Sequence, residues 1–299
     1  MSIEIVPKEA EALLTWPGLL AAIEAGHLLP RAEIADMLLY RGKDTLLNRA
    51  AWIGGLGQLV KCATIFPGNA AAGLPTVNGA VTLYSDTTGE LAALVDFHLV
   101  TKWKTAGDSL LCAARLARKD ARNFLMVGGG TVARSMVAAY RSLWPDARFT
   151  VWSRNPATAA AMGLPVAAGL EAAVKAADVI CTATMATEPL IRGDWLQPGQ
   201  HLDLIGAYTP QMREVDDKAM SRARIFVDCR ATTLHHIGEL IAPLATGAIT
   251  EADVIADFYD DPASFTRRSS AEITIAKNGG GAHLDLMTAH YIAQRWATR

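Results

Sequence analysis

From residue 123 onward, the apolar positions form short continuous runs separated by alanine-rich stretches. A short apolar run is typical of a strand buried on both faces, whereas the alanine-rich stretches favour helices. Strands are expected at 123–127, 147–152, 177–183, 201–206 and 224–229, and helices at 157–162 and 170–175. The alternation predicts an α/β fold built on a doubly wound parallel sheet.

The first 120 residues show a different pattern. Helical spacing occurs at 6–24, 32–39 and 106–117, and strand-like segments occur at 58–66, 79–86 and 90–97. Turn residues at Asp86–Gly89 predict a hairpin. A glycine break at 279–281 precedes a C-terminal helix, which we expect to return to the first domain. The chain is therefore expected to have a discontinuous α+β domain at 1–108 and 276–299, and a parallel-sheet domain at 109–275.

A glycine turn follows the first strand of the predicted parallel sheet. The sequence Gly128–Gly130 leads into a helix-forming stretch, with small Ala133 near its start. This GxGxxA pattern is typical of the turn that binds a dinucleotide pyrophosphate, because the backbone can approach the anion at a helix N-terminus. It predicts a Rossmann-type domain that binds NAD(P), with contacts from Gly128, Gly130, Thr131 and Val132.

The end of the second strand bears on the choice of cofactor. It reads Trp152-Ser153-Arg154-Asn155 and lacks the acidic residue that binds the ribose of NAD. Ser153 and Arg154 can hold a 2′-phosphate, which favours NADP, but NAD stays open because Arg154 can also stack on adenine. The ends of the next two strands are expected to contact the nicotinamide ribose through Thr182, Ala183, Thr184, Gly206 and Tyr208.

Composition limits the partners and the compartment. The chain of 299 residues suits two domains, and its net charge of −2 shows no footprint for nucleic acid or a membrane. The four cysteines are scattered, and neither a leader pattern nor a transmembrane run is found, so we expect a cytoplasmic protein. His235, His236 and Glu239 lack the spacing of a ligand set, so no metal is expected.

Several cations lie in mainly apolar surroundings ahead of the glycine turn: Arg41, Arg49, Lys61, His98, Lys102 and Lys104. Burying an unpaired ammonium group is costly. Lys61 lies within an apolar strand, so we expect it to have an anionic ligand or a carboxylate partner. Arg49 and Lys102 are interpreted as surface charges. A cleft with several of these cations suits a substrate that carries a carboxylate.

Four blocks of the sequence resemble the ornithine cyclodeaminase/mu-crystallin family: 60–69, 74–117, the glycine turn and 270–289. The second block is the longest and the most distinctive. The resemblance implies a Rossmann-type domain joined to a substrate domain that also forms a homodimer interface. It further implies hydride transfer between NAD(P) and the α-carbon of an amino or imino acid.

The resemblance also implies roles for single residues. Lys61 matches a substrate-binding lysine that can take part in proton transfer, and it is the expected catalytic residue. Arg41 aligns approximately with an arginine that binds the substrate carboxylate, and Arg49 competes for that role. Lys104 stands where the family has an arginine, so it keeps the charge but loses the bidentate fork. The remaining matches are Thr105, Asn278 and Gly280 at the cofactor, and Asp285 in the C-terminal block.

One departure from the family pattern bears on the reaction. Ornithine cyclodeaminases place a catalytic aspartate where this chain has Tyr208. We therefore expect an imine reductase, with iminosuccinate as the first choice of substrate and His98 helping the cations to hold two carboxylates. The alternatives are an alanine dehydrogenase or a reductase of cyclic ketimines such as pyrroline-2-carboxylate. An ornithine cyclodeaminase ranks below these, and a non-enzymatic binding protein ranks last.

Overall fold

The computed structural model describes residues 3–299 and divides them into two units. One unit comprises the described residues up to Lys104 together with Gly281–Arg299, and the other is Thr105–Gly280. The chain begins with β1 (Glu4–Val6), α1 (Trp16–His27), β2 (Glu33–Arg41), β3 (Asp44–Ile53), β4 (Gly57–Ile65), β5 (Val77–Tyr84), β6 (Leu91–Val95) and α2 (Phe97–Leu116).

The elements that follow α2 alternate between strand and helix. They are β7 (Asn123–Val127), α3 (Thr131–Leu143), β8 (Arg148–Trp152), α4 (Pro156–Ala160), α5 (Leu170–Ala176), β9 (Val179–Thr182), β10 (His201–Leu204), α6 (Asp217–Arg222), β11 (Arg224–Val227), α7 (Arg230–Thr233), α8 (Gly238–Thr246), β12 (Val254–Ala256), β13 (Thr274–Lys277) and α9 (Ala282–Ala297). Short 3₁₀ helices lie at Lys8–Leu13, Pro67–Ala72, Gly193–Trp195 and Glu251–Asp253.

A six-stranded sheet forms the centre of the first unit. Its order is β1-β6-β5-β4-β3-β2, and all neighbours are antiparallel except β1 and β6. Helix α9 packs against this sheet. Because successive side chains of a strand point to opposite faces, Leu59, Lys61 and Ala63 of β4 are buried, whereas Val60 between them is exposed. Lys61 therefore lies in the row of side chains that faces the core.

The predicted helix at 32–39 is wrong, because this segment is strand β2. Its residues pair antiparallel with β3 from Glu33 opposite Trp52 to Arg41 opposite Asp44. Gly42, with φ at 59°, allows the tight turn between the two strands. A continuous ladder of hydrogen bonds to β3 thus outweighs the helical spacing of the apolar residues, which is only a weak local preference.

Two predicted helices differ from the observed ones in their bounds. The helix expected at 6–24 is interrupted, and α1 begins at Trp16, where the side chain of Thr15 accepts a hydrogen bond from the Gly18 N–H at 3.2 Å. Helix α2 starts at Phe97, earlier than the expected 106, because the Asp96 carboxylate accepts from the Leu99 N–H at 2.7 Å. Both starts are fixed by capping side chains.

The second unit contains a parallel sheet of seven strands in the order β12-β11-β13-β10-β9-β7-β8. All five strands expected here are present, so the predicted α/β fold with a Rossmann-type parallel sheet is confirmed. The prediction missed β12 and β13. Strand β13 lies between β10 and β11, with Ile275 opposite both Leu202 and Ile225.

Other local expectations are confirmed. Asp86–Gly89 connects β5 to β6, with the Ser85 N–H donating to the Glu90 carbonyl at 2.9 Å. The C-terminal helix follows the break at 279–281 as α9. Within residues 3–299, no helix is both long and apolar enough to cross a membrane.

Candidate active site

The glycine turn lies between β7 and α3 in the second unit. Gly128 has φ at 109°, and a Cβ atom there would lie 2.5 Å from the Ala183 carbonyl oxygen, so only glycine suits this position. Gly130 is the N-cap residue of α3, and no side chain within residues 3–299 accepts a hydrogen bond from the first N–H groups of this helix. The first N–H groups of a helix have no partner within it, so those of Thr131 and Val132 can bind an anion. The turn fits the pyrophosphate of a dinucleotide.

A cavity of about 240 Å³ adjoins this turn. Its lining includes Gly128, Ser153, Arg154, Asn155 and Thr184. The Asn155 side chain is already used, because it accepts from the Ala157 N–H at 3.0 Å and so caps α4. Ser153 and Arg154 remain beside the cavity as the polar groups that can contact a ribose or its phosphate. The lining is compatible with NAD(P).

The predicted contacts at the ends of β9 and β10 differ in exposure. We expected Thr182 to contact the ribose. Its side chain is instead fully buried, and its hydroxyl donates to Glu214 Oε2 at 2.7 Å, so the hydroxyl is not available to a ribose. Ala183 and Gly206 are half-buried, and Tyr208 is 61% exposed. Thr184 is half-buried and lines the cavity.

The segment after β13 holds two more predicted cofactor contacts. The Gly280 N–H donates to Asp228 Oδ2 at 2.5 Å. The Asn278 side chain is buried and donates to Cys112 Sγ at 3.5 Å, while its Oδ1 atom has no hydrogen-bond partner among the described residues. Thr105, the first residue of this unit, lies half-buried on α2.

The first unit contains a buried ion pair between two distant parts of the chain. Lys61 Nζ lies 2.7 Å from Asp285 Oδ1, and both side chains are buried. Lys61 is on β4, and Asp285 is in the first turn of α9, where the helix dipole favours a carboxylate. The expectation that Lys61 has an anionic partner is confirmed. The partner is Asp285, which belongs to the C-terminal block that resembles the family.

Arg49 is not the surface charge that we expected. It faces Lys61 across the β3–β4 ladder, and its side chain is only 23% exposed. Its guanidinium lies 2.6 Å from Asp36 Oδ2 and 3.8 Å from Asp285 Oδ2. The register of the hairpin brings it there, because Asp36 on β2 and Lys61 on β4 flank Arg49 on β3.

Burial and charge shift the titration of this group of residues. Burial lowers the pKa of Lys61, and the opposing effect of Asp285 only partly compensates. Burial acts to raise the pKa of Asp285, but Lys61, Lys104 and Arg49 together hold it below its usual value. Lys104, half-buried on α2, thus belongs to the same electrostatic cluster, which we call the Lys61 cluster: Arg49, Lys61, Lys104 and Asp285.

Two predicted substrate contacts are not brought into the Lys61 cluster. The Arg41 side chain is 79% exposed at the end of β2 and pairs with Asp44 at 3.1 Å. His98 is exposed on α2, with its ring at the edge of Phe97. Lys102 is a surface charge as expected, paired with Glu11 at 2.5 Å. Of the two candidate arginines, only Arg49 lies near Lys61.

Sequence reasoning missed several acidic residues that organise these sites. Asp36, Glu214 and Asp228 each accept hydrogen bonds from a predicted site residue or its neighbours. Glu214 lies in the stretch REVDD, which is typical of a solvated loop, so no local pattern indicated its complete burial.

The residues considered as metal ligands do not lie together in one site. His235 is exposed beside Glu251, whereas Glu239 is buried. No group of three metal-ligating side chains occurs within residues 3–299.

A doubly wound parallel sheet with a dinucleotide turn, in a chain that also carries a buried cation cluster, defines an NAD(P)-dependent oxidoreductase. The comparisons with known proteins agree with this class. Residues 54–299 match the model of the ornithine cyclodeaminase/mu-crystallin family, and the chain belongs to that family.

Named relatives in the family include reductases of imino compounds. The chain is 49% identical over 298 residues to a Delta(1)-pyrroline-2-carboxylate reductase of Paracoccus denitrificans, covering 96% of this chain and 94% of that one. The solved iminosuccinate reductase of Paracoccus denitrificans in complex with NAD⁺ is 26% identical, with a TM-score of 0.87 and coverage of 99% and 97%. An archaeal alanine dehydrogenase dimer with bound NAD is also 26% identical, with a TM-score of 0.89 and coverage of 100% and 97%.

Proposed function

We propose that this enzyme reduces a cyclic imino acid with one carboxylate, Δ1-pyrroline-2-carboxylate, to L-proline with NAD(P)H. The observation that carries this proposal is the pairing of charges in the Lys61 cluster. Lys61 is paired with Asp285, and Arg49 is paired with Asp36. The side chain of Lys104 makes no hydrogen bond or ion pair with any of residues 3–299.

A single unpaired cation suits a single carboxylate. A substrate with two carboxylates brings a second negative charge, which needs its own cation when it is removed from water. Arg41 and His98, which were expected to help hold two carboxylates, lie outside the cluster. The relative with 49% identity, named for pyrroline-2-carboxylate, supports the same substrate class.

NAD(P)H, when bound, supplies the hydride that reduces the imine carbon. Hydride addition to the imine carbon gives an amine only when the imine nitrogen also receives a proton. Lys61 Nζ is suited to that step, since burial lowers its pKa, while Asp285 at 2.7 Å acts to raise that pKa and orients the Nζ group. Lys104 holds the substrate carboxylate in place, which orients the imine carbon.

The second candidate is reduction of iminosuccinate to L-aspartate. Two observations favour it. Three cations, Lys61, Lys104 and Arg49, act on the single carboxylate of Asp285, and the chain shares its fold with the iminosuccinate reductase. Two assays distinguish the candidates. Initial rates of NADH and NADPH oxidation are measured with Δ1-pyrroline-2-carboxylate, with iminosuccinate, and with pyruvate plus ammonia. Ammonia release is measured with ornithine, because cyclodeamination gives no net oxidation of NAD(P)H. A higher kcat/KM for iminosuccinate or for pyruvate would overturn the proposal.

The proposed assembly is a homodimer formed through the exposed face of the six-stranded sheet. The register aligns Ile5, Leu94, Thr82 and Val60 in one row on the face opposite Lys61. Ile5 is 68% exposed and Leu94 is 37% exposed, and nearby Trp52 is 56% exposed. A contiguous apolar face of this kind typically marks an interface. A second copy of the chain would cover it.

The proposed compartment is the cytoplasm. All four cysteines are free thiols, and three of them are buried. Proteins with this pattern are typical of reducing compartments. Fractionation of cells that produce the protein, followed by immunoblotting, tests this assignment.

A further inference from the structure

Glu214 is a fully buried carboxylate in the second unit that accepts five hydrogen bonds. Oε1 accepts from the N–H and the hydroxyl of Thr184, at 2.9 and 2.6 Å. Oε2 accepts from the Thr182 hydroxyl at 2.7 Å and from the N–H groups of Gly206 and Ala207 at 2.9 and 3.2 Å. One side chain therefore holds the segments that follow two strands.

These two segments follow β9 and β10, on a defined side of the glycine turn. The sheet order is β10-β9-β7-β8, so the turn after β7 has β8 on one side and β9 and β10 on the other. In folds of this type the adenosine ribose is bound at the end of the second strand, here β8. The nicotinamide half then falls on the side of β9 and β10, where Glu214 holds the backbone.

The chain fits closely around the Glu214 carboxylate. A Cβ atom on Gly206 would lie 2.3 Å from the Thr184 N atom and 2.4 Å from Glu214 Oε1, so the two segments approach each other as glycine alone permits. Glu214 is itself held, because its own N–H donates to Glu239 Oε2 at 2.8 Å. A buried carboxylate with this many donors is fixed in one orientation.

A buried lysine on β13 supports the same region. Lys277 Nζ donates to the carbonyl oxygens of Leu204 and Ala207, both at 2.7 Å, and its positive charge acts on Glu214 and Glu239. Residues Glu214, Glu239 and Lys277 are each fully buried. The end of β10 is thus held from its N–H groups by Glu214 and from its carbonyl groups by Lys277.

We propose that Glu214 is a positioning residue for the nicotinamide half of the cofactor, an inference that rests on the proposed function. It fixes Thr184, Gly206 and Ala207 in the geometry that the nicotinamide ribose and ring need. The adenosine half, bound beside Ser153 and Arg154, does not depend on it. Glu214 touches no reacting atom and acts only through the backbone that it holds.

The substitution Glu214→Gln tests this with little change in shape. Whichever way the amide is turned, its NH₂ group faces at least one backbone N–H that Glu214 now accepts from, because both oxygens have such donors. An unpaired buried donor disturbs local geometry. Thr182→Val is a milder variant that removes one hydrogen bond to Glu214 and keeps the side-chain shape. Asp203→Asn is the matched control, since Asp203 is equally buried on β10 but accepts from Tyr140 and His201.

The measurement is calorimetric binding of NADH and of ADP-ribose, which lacks nicotinamide, to each purified protein without substrate. We expect Glu214→Gln to weaken NADH binding about tenfold and Thr182→Val about threefold. Both variants should bind ADP-ribose like the wild type, and Asp203→Asn should bind both ligands like the wild type. Should Glu214→Gln fail to fold, the same comparison is made with Thr182→Val.

Equal weakening of both ligands, or no weakening of NADH, would overturn the positioning role. Loss of NADH affinity in Asp203→Asn equal to that in Glu214→Gln would also overturn it, because any buried carboxylate would then have the same effect. If the wild-type protein binds neither ligand, the proposed function fails as well. If it binds both and the variants do not differ, only the role of Glu214 fails.

Discussion

Lys61 Nζ donates a hydrogen bond of 2.7 Å to Asp285 Oδ1 across 224 positions of the sequence. The pair joins β4 to α9 inside the first unit, and both side chains are buried. A buried lysine beside a carboxylate can stay charged and yet release a proton more readily than a lysine in water. This relationship links the fold of the unit to the proton transfer that we propose.

The first prediction concerns the pH dependence of Asp285→Asn. Asp285 acts to raise the pKa of Lys61, whereas burial lowers it. Without that carboxylate the pKa of Lys61 falls further, so the alkaline limb of the kcat profile, where Lys61 loses its proton, moves to lower pH. The measurement is the kcat for Δ1-pyrroline-2-carboxylate from about pH 6 to about pH 10. This range is chosen because burial moves a lysine pKa below its usual value of about 10.4. An alkaline limb at the same pH in both proteins would contradict the role of Lys61 as the proton donor.

The burial of Lys61 predicts how stability depends on pH. The pKa of Lys61 is lower in the folded protein than in the unfolded chain, where it is 10.5. Between these two values the folded protein binds fewer protons than the unfolded chain, so the free energy of unfolding decreases as pH falls through this range. Removing only one partner of a buried pair costs about 3–5 kcal/mol. The Asp285→Asn protein should therefore unfold at lower denaturant concentration than the wild type.

The second prediction compares two lysines on α2. Lys104 lies in the Lys61 cluster without an ion pair, whereas Lys102, two positions earlier, pairs with Glu11 at the surface. Lys104→Ala should raise the KM for Δ1-pyrroline-2-carboxylate about thirtyfold, because a charged hydrogen bond to the carboxylate contributes roughly 2 kcal/mol. Lys102→Ala should change KM by less than about twofold, as for other surface pairs. Similar KM values for the two variants would refute the assignment of Lys104.

The third prediction concerns Arg154 and the choice of cofactor. Arg154 lines the cavity beside Ser153, and no acidic residue follows β8 there. Arg154→Ala should raise the KM for NADPH about tenfold and that for NADH little, since only NADPH carries the 2′-phosphate. Steady-state titration of both cofactors measures this split. An equal change for both would mean that Arg154 contacts the part of the cofactor that NADH and NADPH share.

The fourth prediction tests the proposed dimer. Leu94→Glu places a charge in the exposed row of the sheet, and burying an unpaired charge in an interface is costly. Light scattering after gel filtration should show a dimer for the wild type and a monomer for this variant. Val166→Glu, at an apolar residue that is 50% exposed in the second unit, is the control and should stay dimeric. A Leu94→Glu dimer would rule out this face.

The second unit could be predicted closely because its signals are local. Short apolar runs identified five parallel strands, and the glycines after β7 identified the cofactor turn. The missed strand β13 is only four residues long, and Asn278 alone separates it from the glycine break at 279–281. Its position between β10 and β11 depends on pairing with distant strands, which no local pattern contains.

The first unit was less predictable because its arrangement depends on long-range pairing. The segment at 32–39 has helical spacing but pairs with β3 as strand β2, and the pairing of β3 with β4 decides that Arg49 lies near Lys61. Arg41 falls at the exposed turn, and Arg49 falls opposite Lys61. The cost of burying a charge was sufficient to predict that Lys61 has an anionic partner. The identity of that partner, Asp285, could not be predicted, because it depends on α9 packing back against the sheet.

The central claim, that the Lys61 cluster accepts one substrate carboxylate, is tested most directly by the specificity of the wild-type enzyme. The measurement is kcat/KM for Δ1-pyrroline-2-carboxylate and for iminosuccinate, each generated in situ, with saturating NADPH. We predict a value at least about a hundredfold higher for the cyclic substrate, because the second carboxylate of iminosuccinate finds no cation. An equal or higher value for iminosuccinate would contradict the account.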